Sequence, residues 1–97
     1  MNIGKVYTFK LNSGEEVIAK VVQYNDNLIG IENPVSVAPG PQGMGLVPSM
    51  FTADPGEIPQ LNMNCVAIWS LTDDAVCMKY LEATTGIKVP EKKILVG

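Results

Sequence analysis

The sequence predicts a mainly β domain that ends in one α-helix. Five segments alternate apolar and polar residues with the period of two that is typical of β-strands. Clusters of Gly, Pro and Asn separate these segments, as they do between strands. A sixth segment, 71–85, instead carries apolar residues at helical spacing. The 97 residues suit a single domain, 1–97, and the 46% hydrophobic content favours a globular chain over a disordered one.

The first two strands are predicted at 3–11 and 16–24. Tyr7 and Phe9 alternate with polar residues, so they share one face of the first strand. The residues 12–14 between the strands are Asn-Ser-Gly, a turn sequence in which the glycine readily adopts a positive φ. The two strands are therefore expected to form a hairpin.

Three further strands are predicted at 28–37, 44–52 and 60–69. The residues 25–27 are Asn-Asp-Asn, types that tolerate the left-handed backbone of a tight turn. Pro34 lies inside the third strand and has no N–H to donate, so it marks a bulge, a bend or an edge. Pro/Gly-rich loops precede the fourth and fifth strands.

The helix is predicted over 71–85. Ser70 or Thr72 can cap its N-terminus, because a hydroxyl accepts hydrogen bonds from the first free N–H groups. Asp73 and Asp74 place negative charge at the positive end of the helix dipole.

Apolar residues flank and follow this helix. Trp69 comes directly before it and is expected to anchor it to the sheet. Cys65 and Cys77 lie among apolar neighbours and are predicted to be buried free thiols. The tail 87–97 ends in an apolar run and is expected to extend a sheet edge or to dock on a neighbour.

Short, bent strands favour a small barrel, since closure removes exposed strand edges, and Sm-like, SH3-like and OB-type barrels all satisfy this. The segment 11–21 resembles the first Sm motif: an apolar residue, two variable residues, Gly14, then a strand with Ala19 followed by an aliphatic residue. The segment 24–27 resembles the turn after that motif, and Ile29 with its neighbour two residues on matches the apolar pair that opens the third strand.

The resemblance implies a small five-stranded bent-sheet Sm-like (LSm, SH3-type) barrel with one C-terminal α-helix. The overall pattern also resembles small proteins encoded by tailed phages of marine bacteria. Two positions depart from the Sm pattern. Leu28 replaces an Asn that helps to bind a base in that family, and 47–54 lacks the Arg that usually ends the fourth strand.

The same resemblance implies a homo-oligomeric ring, from pentamer to heptamer, in which the fourth strand of one subunit pairs with the fifth of the next. Apolar residues of those two strands then form the interface. The expected interface residues are Met44, Leu46, Met50, Phe51, Leu61, Met63, Val66 and Ile68.

A surface for RNA or single-stranded DNA is predicted around the second turn and on two strands. Its candidate residues are Tyr24, Asn25, Asp26, Asn27, Lys10 and Lys20. Aromatic rings stack on bases and lysines attract phosphates. The plainer interpretation is a hairpin turn with solvated lysines, and the net charge of −3 and the absence of Arg favour it.

Two functions follow from these patterns. The first is an oligomeric nucleic-acid-binding module with a role in nucleic-acid processing. The alternative is a non-catalytic structural or adaptor protein that binds a phage or host protein, which the acidic composition favours. Asn62 and Asn64, alternating in the fifth strand, fit either a ligand or side-chain bonds across an interface.

No catalytic machinery is predicted. The chain has no His, which removes the commonest general base, and two Cys are too few for a zinc site. We therefore expect neither an enzyme nor a cofactor. No apolar run approaches the roughly 18 residues of a membrane span, and no signal-peptide pattern is visible. These features predict a cytoplasmic protein, in the host cytoplasm if the chain is phage-encoded.

Overall fold

The computed structural model describes residues 1–85, and the predicted tail 87–97 lies outside them. The prediction of a mainly β fold with a C-terminal helix is confirmed. The elements in chain order are β1 (Val6–Leu11), β2 (Glu16–Asn25), β3 (Leu28–Gly40), β4 (Gly43–Pro48), β5 (Gln60–Asn62), a 3₁₀ turn (Met63–Cys65), β6 (Val66–Leu71) and α1 (Asp74–Thr85). No helix in this part of the chain is long and apolar enough to cross a membrane.

The strands form one antiparallel sheet in the order β4-β3-β2-β1-β6, and β5 pairs with the start of β3. This sheet is not closed, because its end strands β4 and β6 do not pair with each other. The structure therefore does not show the predicted closed barrel. The long strand β3 serves two partners. Its first residues pair with β5, and its second half pairs with β4.

The single strand predicted at 60–69 is two strands, so the sheet has six strands instead of five. The Asn62 side chain accepts a hydrogen bond from the Asn64 backbone N–H at 2.9 Å. This bond caps a 3₁₀ turn and interrupts the extended backbone, as Asn side chains commonly do. The chain thereby leaves β3 and joins β1 on the other side of the sheet.

Two other strands are shorter than the periodicity predicts. The first begins at Val6 and not at residue 3, because Gly4 lies in a turn with φ +92°. The fourth ends at Pro48 and not at residue 52, since a proline has no N–H for the ladder. The predicted turn chemistry is confirmed at Gly14 (φ +95°) and at Asp26 (φ +50°).

The core has two parts, one on each face of the sheet. The first cluster is covered by β5 and the 3₁₀ turn and consists of Tyr7, Phe9, Ala19, Val21, Ile29 and Ile31. The second cluster consists of Ile18, Val35 and Tyr80, packed by Val6, Val37, Leu46 and Val76. Because Val76 and Tyr80 belong to α1, the second cluster attaches the helix to the sheet.

A bulge lies where β2 and β3 run past each other beneath the helix. Ile18 pairs with Val35 and Lys20 pairs with Glu32, so two residues of β3, Asn33 and Pro34, oppose one residue of β2. Of the three features predicted from Pro34, a bulge, a bend or an edge, the structure shows the bulge. Asn33 adopts φ +51°, a backbone conformation that Asn tolerates better than most residues.

Candidate functional site

The two ends of the sheet are unpaired and apolar. Within residues 1–85, β4 pairs only with β3, and β6 pairs only with β1. Both strands are six residues long. All of β6 after Val66 is exposed, although five of its six residues are apolar. Soluble proteins usually protect such edges with charge or cover them, so these two edges are the strongest candidates for an interaction site.

Several of the most exposed apolar side chains lie on or next to these edges. On β6, Ile68 is 65% exposed, and on β4, Met44 is 74% exposed. Trp69, Leu71 and Val47 are exposed on the same two strands, although the predicted interface did not include them. In the sequence, these residues stand out only as parts of apolar runs. An apolar run does not distinguish a strand in the core from a strand at an edge.

The eight predicted interface residues fall into two groups. Four are exposed: Met44, Met50, Phe51 and Ile68. The other four pack against the core of their own chain: Leu61, Met63 and Val66 on the first cluster and Leu46 on the second. The exposed residues are therefore available to contact a partner, whereas the side chains of the other four already pack largely against their own chain.

Trp69 does not anchor the helix, contrary to expectation. It pairs with Phe9, so both side chains lie on the face of the first core cluster, whereas α1 packs on the opposite face. Its ring contacts Tyr7 edge to face, with centroids 5.8 Å apart. Trp69 is consequently part of the exposed β6 edge.

The turn between β2 and β3 is tied to the 3₁₀ turn by asparagines. The Asn27 amide donates to Asn64 Oδ1 at 3.1 Å, and the Met63 N–H donates to the Asn27 carbonyl at 2.8 Å. The Asn12 amide donates to the Asn64 carbonyl at 3.1 Å. We call Asn12, Asn27, Asn62 and Asn64 the asparagine cluster. Asn62 and Asn64 thus make side-chain bonds within their own chain.

Sequence periodicity alone did not indicate that Asn12 joins this cluster, because the contact spans 52 residues. All four asparagines are exposed, so their remaining donors and acceptors face solvent. Tyr24, at the end of β2, is 56% exposed beside the same turn. This corner presents one aromatic ring, several amides and one negative charge, Asp26.

The predicted lysines do not join this corner. Lys20 alternates with Ala19 and Val21 of the first core cluster, so it lies on the helix face of the sheet. Its Nζ is 4.0 Å from Glu32 Oε1, and both side chains are partly exposed. Lys10 lies on the same face, opposite Glu16. The structure therefore separates the predicted phosphate contacts from the predicted stacking residue.

The two thiols are free, as predicted, but Cys65, the last residue of the 3₁₀ turn, is exposed instead of buried. Cys77 is half-buried on α1. Among residues 1–85, no group of three or more His, Cys, Asp or Glu side chains is arranged to hold a metal ion.

No known family model matches this sequence, and no curated protein matches it.

Proposed function

We propose that this chain is a non-catalytic, self-assembling β module whose copies join through the β4 edge of one subunit and the β6 edge of the next. The observation that carries the proposal is the exposed apolar strand β6, with Ile68 65% exposed on an unpaired edge. Pairing with a second copy satisfies the free backbone groups and buries the apolar side chains.

The two edges have different sequences, so a contact between them is heterologous. Such a contact repeats from subunit to subunit, and it closes into a ring when the rotation between neighbours divides a full turn. The sheet order, with β4 and β6 at its ends, supports assembly from edge to edge. The proposed copy number, five to seven, is the one that the resemblance to Sm-like rings implies. The exposed residues Met44 and Val47 on one edge and Ile68 and Leu71 on the other supply the apolar contact.

Mixing two edge variants tests which edges meet. Met44→Asp/Val47→Asp blocks β4, and Ile68→Asp blocks β6, so each variant alone is expected to be monomeric. An equimolar mixture is expected to form heterodimers, because each pair retains one intact β4 edge and one intact β6 edge. If the β4 variant alone still forms dimers, like edges pair with each other and the ring proposal is wrong.

A second candidate function is binding of RNA or single-stranded DNA, which the exposure of Tyr24 beside the asparagine cluster favours. A ring places one such corner on every subunit, and stacking contributes about 1–3 kcal/mol per base. Within residues 1–85, no lysine lies in or next to the turn between β2 and β3. Attraction of phosphates therefore contributes little to binding at this corner.

Short U-rich and A-rich oligonucleotides, measured at low and moderate salt, test this second candidate. Tyr24→Ala is expected to weaken binding at least tenfold if the ring stacks on a base, and Tyr24→Phe is expected to retain it. Absence of any binding by the parent chain, even at low salt, would exclude nucleic acid as the ligand. Co-purification of a protein with a low ratio of absorbance at 260 nm to 280 nm would instead support an adaptor.

A further inference from the structure

A cleft of about 640 Å³ lies between the loop 49–59, the bulge of β3 and the end of α1. Its apolar lining includes Leu46, Met50 and Ile58, and the last two are exposed by 47% and 43%. Ala83 and Thr84 of α1 also line it. The cleft is therefore an open apolar groove at the point where the helix ends.

The charge of the cleft is negative. Glu32, Asp54 and Glu57 line it, and none of the four lysines within residues 1–85 does. The Glu32 carboxylate has only a long contact to Lys20 at 4.0 Å. The Asp54 side chain accepts a hydrogen bond from the Gly56 N–H, and none of the hydrogen bonds or ion pairs among residues 1–85 involves the Glu57 side chain. Two carboxylates thus remain available to a cationic ligand.

The chain carries a segment of complementary composition directly after α1. Residues 1–85 contain four lysines and nine acidic residues, a net charge of −5, whereas residues 86–97 contain three lysines and one glutamate, a net charge of +2. Between the lysines the segment is apolar, with Ile87, Val89 and the run 94–96. Because Ala83 and Thr84 line the cleft, the last described turn of α1, which the segment follows in sequence, lies at this groove.

We propose that the segment 87–96 binds in this cleft of its own chain. Its lysines face Glu32 and Glu57, and its apolar residues contact Met50 and Ile58. Ten residues of extended chain reach roughly 33 Å, which is enough to follow a groove on a domain of this size. The interaction is intramolecular, so even weak contacts are effective at the high local concentration that a short connection gives.

Cleavage of the full chain by a lysine-specific protease tests this proposal, with intact mass used to follow cuts at Lys88, Lys92 and Lys93. The reference is a synthetic peptide of residues 83–97. Cleavage in the protein is expected to be about tenfold slower than in the peptide, since the protease acts on the undocked population. Glu32→Gln/Glu57→Gln and Met50→Ser are each expected to remove most of this protection.

Two controls separate docking from other causes of protection. Glu16→Gln removes one charge outside the cleft and is expected to leave the rate unchanged. Ile68→Asp is expected to retain protection, because docking within one chain does not need assembly. Equal cleavage rates in the protein and the peptide, or equal protection in the parent chain and both cleft variants, would overturn the proposal. Loss of protection in Ile68→Asp would also overturn it.

Discussion

The Tyr80 hydroxyl accepts a hydrogen bond from the Lys20 backbone N–H at 3.1 Å and donates one to the Glu32 carbonyl at 2.7 Å. These two backbone groups belong to neighbouring strands at the bulge of the sheet. A side chain of α1 therefore bridges the strands where their ladder is interrupted. Tyr80 itself is 1% exposed, so both bonds are shielded from water.

Tyr80→Phe is expected to lower the free energy of unfolding by about 1–3 kcal/mol, because it leaves a shielded donor and acceptor without partners. Urea denaturation measures this loss. Tyr24→Phe is the matched control, since Tyr24 is largely exposed, and it is expected to change stability by less than about 0.5 kcal/mol. Equal stabilities of the two variants would show that the bridge contributes nothing.

Alkaline pH is expected to weaken the same contact. Burial raises the pKa of Tyr80 from 10.0 to about 12. Between these values the unfolded chain has lost the phenolic proton and the folded chain keeps it, so stability falls as pH rises from 10 to 12. The full contribution is present below pH 10, and about 2 kcal/mol of it is lost by pH 12.

Urea denaturation of the parent chain and Tyr80→Phe at pH 9 to 12 isolates this effect from other titrations. The stability difference between the two proteins is expected to narrow as pH rises. A difference that stays constant over this range would contradict the raised pKa of Tyr80.

Gly30→Ala is expected to destabilise the fold by about 1–3 kcal/mol through overpacking. A Cβ at this position would lie 2.7 Å from the Gln23 Cβ and 3.1 Å from the Ile58 Cγ2. Gly45→Ala is the control, because its Cβ meets no atom closer than 3.9 Å. Thermal melting of both variants checks this, and an unchanged midpoint for Gly30→Ala would show that Gln23 and Ile58 do not pack closely over Gly30.

Val66 and Ile68 lie two residues apart on β6, and substituting aspartate at each is expected to have a different effect. Val66 packs against the first core cluster, so Val66→Asp is expected to lower the unfolding free energy by several kcal/mol. Ile68 is exposed, so Ile68→Asp is expected to retain the fold and to disrupt only the assembly. Circular dichroism and thermal melting measure the fold, and equal destabilisation by both variants would place Ile68 in the core.

Local chemistry was sufficient to predict most of the sheet. The period of two identified β1 to β3. The positive φ at Gly14 and Asp26 follows from the residue types of the turns themselves, and a turn spans only about four residues. Pro34 indicated an irregularity in its strand, because a proline has no N–H to donate, and the structure shows this irregularity as a bulge. These features depend on near neighbours in sequence.

Features that depend on distant contacts were not predictable. Asn62 and Asn64 fit the alternation of a strand, and the 3₁₀ turn between β5 and β6 depends on where β3 and β1 lie. Helical spacing predicted α1, but the partners of the Tyr80 hydroxyl are 48 and 60 residues away in sequence. The separation of Lys10 and Lys20 from Tyr24 likewise follows from the sheet and not from the sequence pattern.

The solution mass by light scattering tests the central claim most directly. We expect the parent chain to have a mass of five to seven times 10.4 kDa, the mass of one chain. We expect Ile68→Asp to be monomeric. Met78→Asp changes a residue of α1 that is 61% exposed, against 65% for Ile68, and that belongs to neither edge strand, so this variant is expected to keep the full assembly. A parent chain that is monomeric at 10.4 kDa would contradict edge-to-edge assembly.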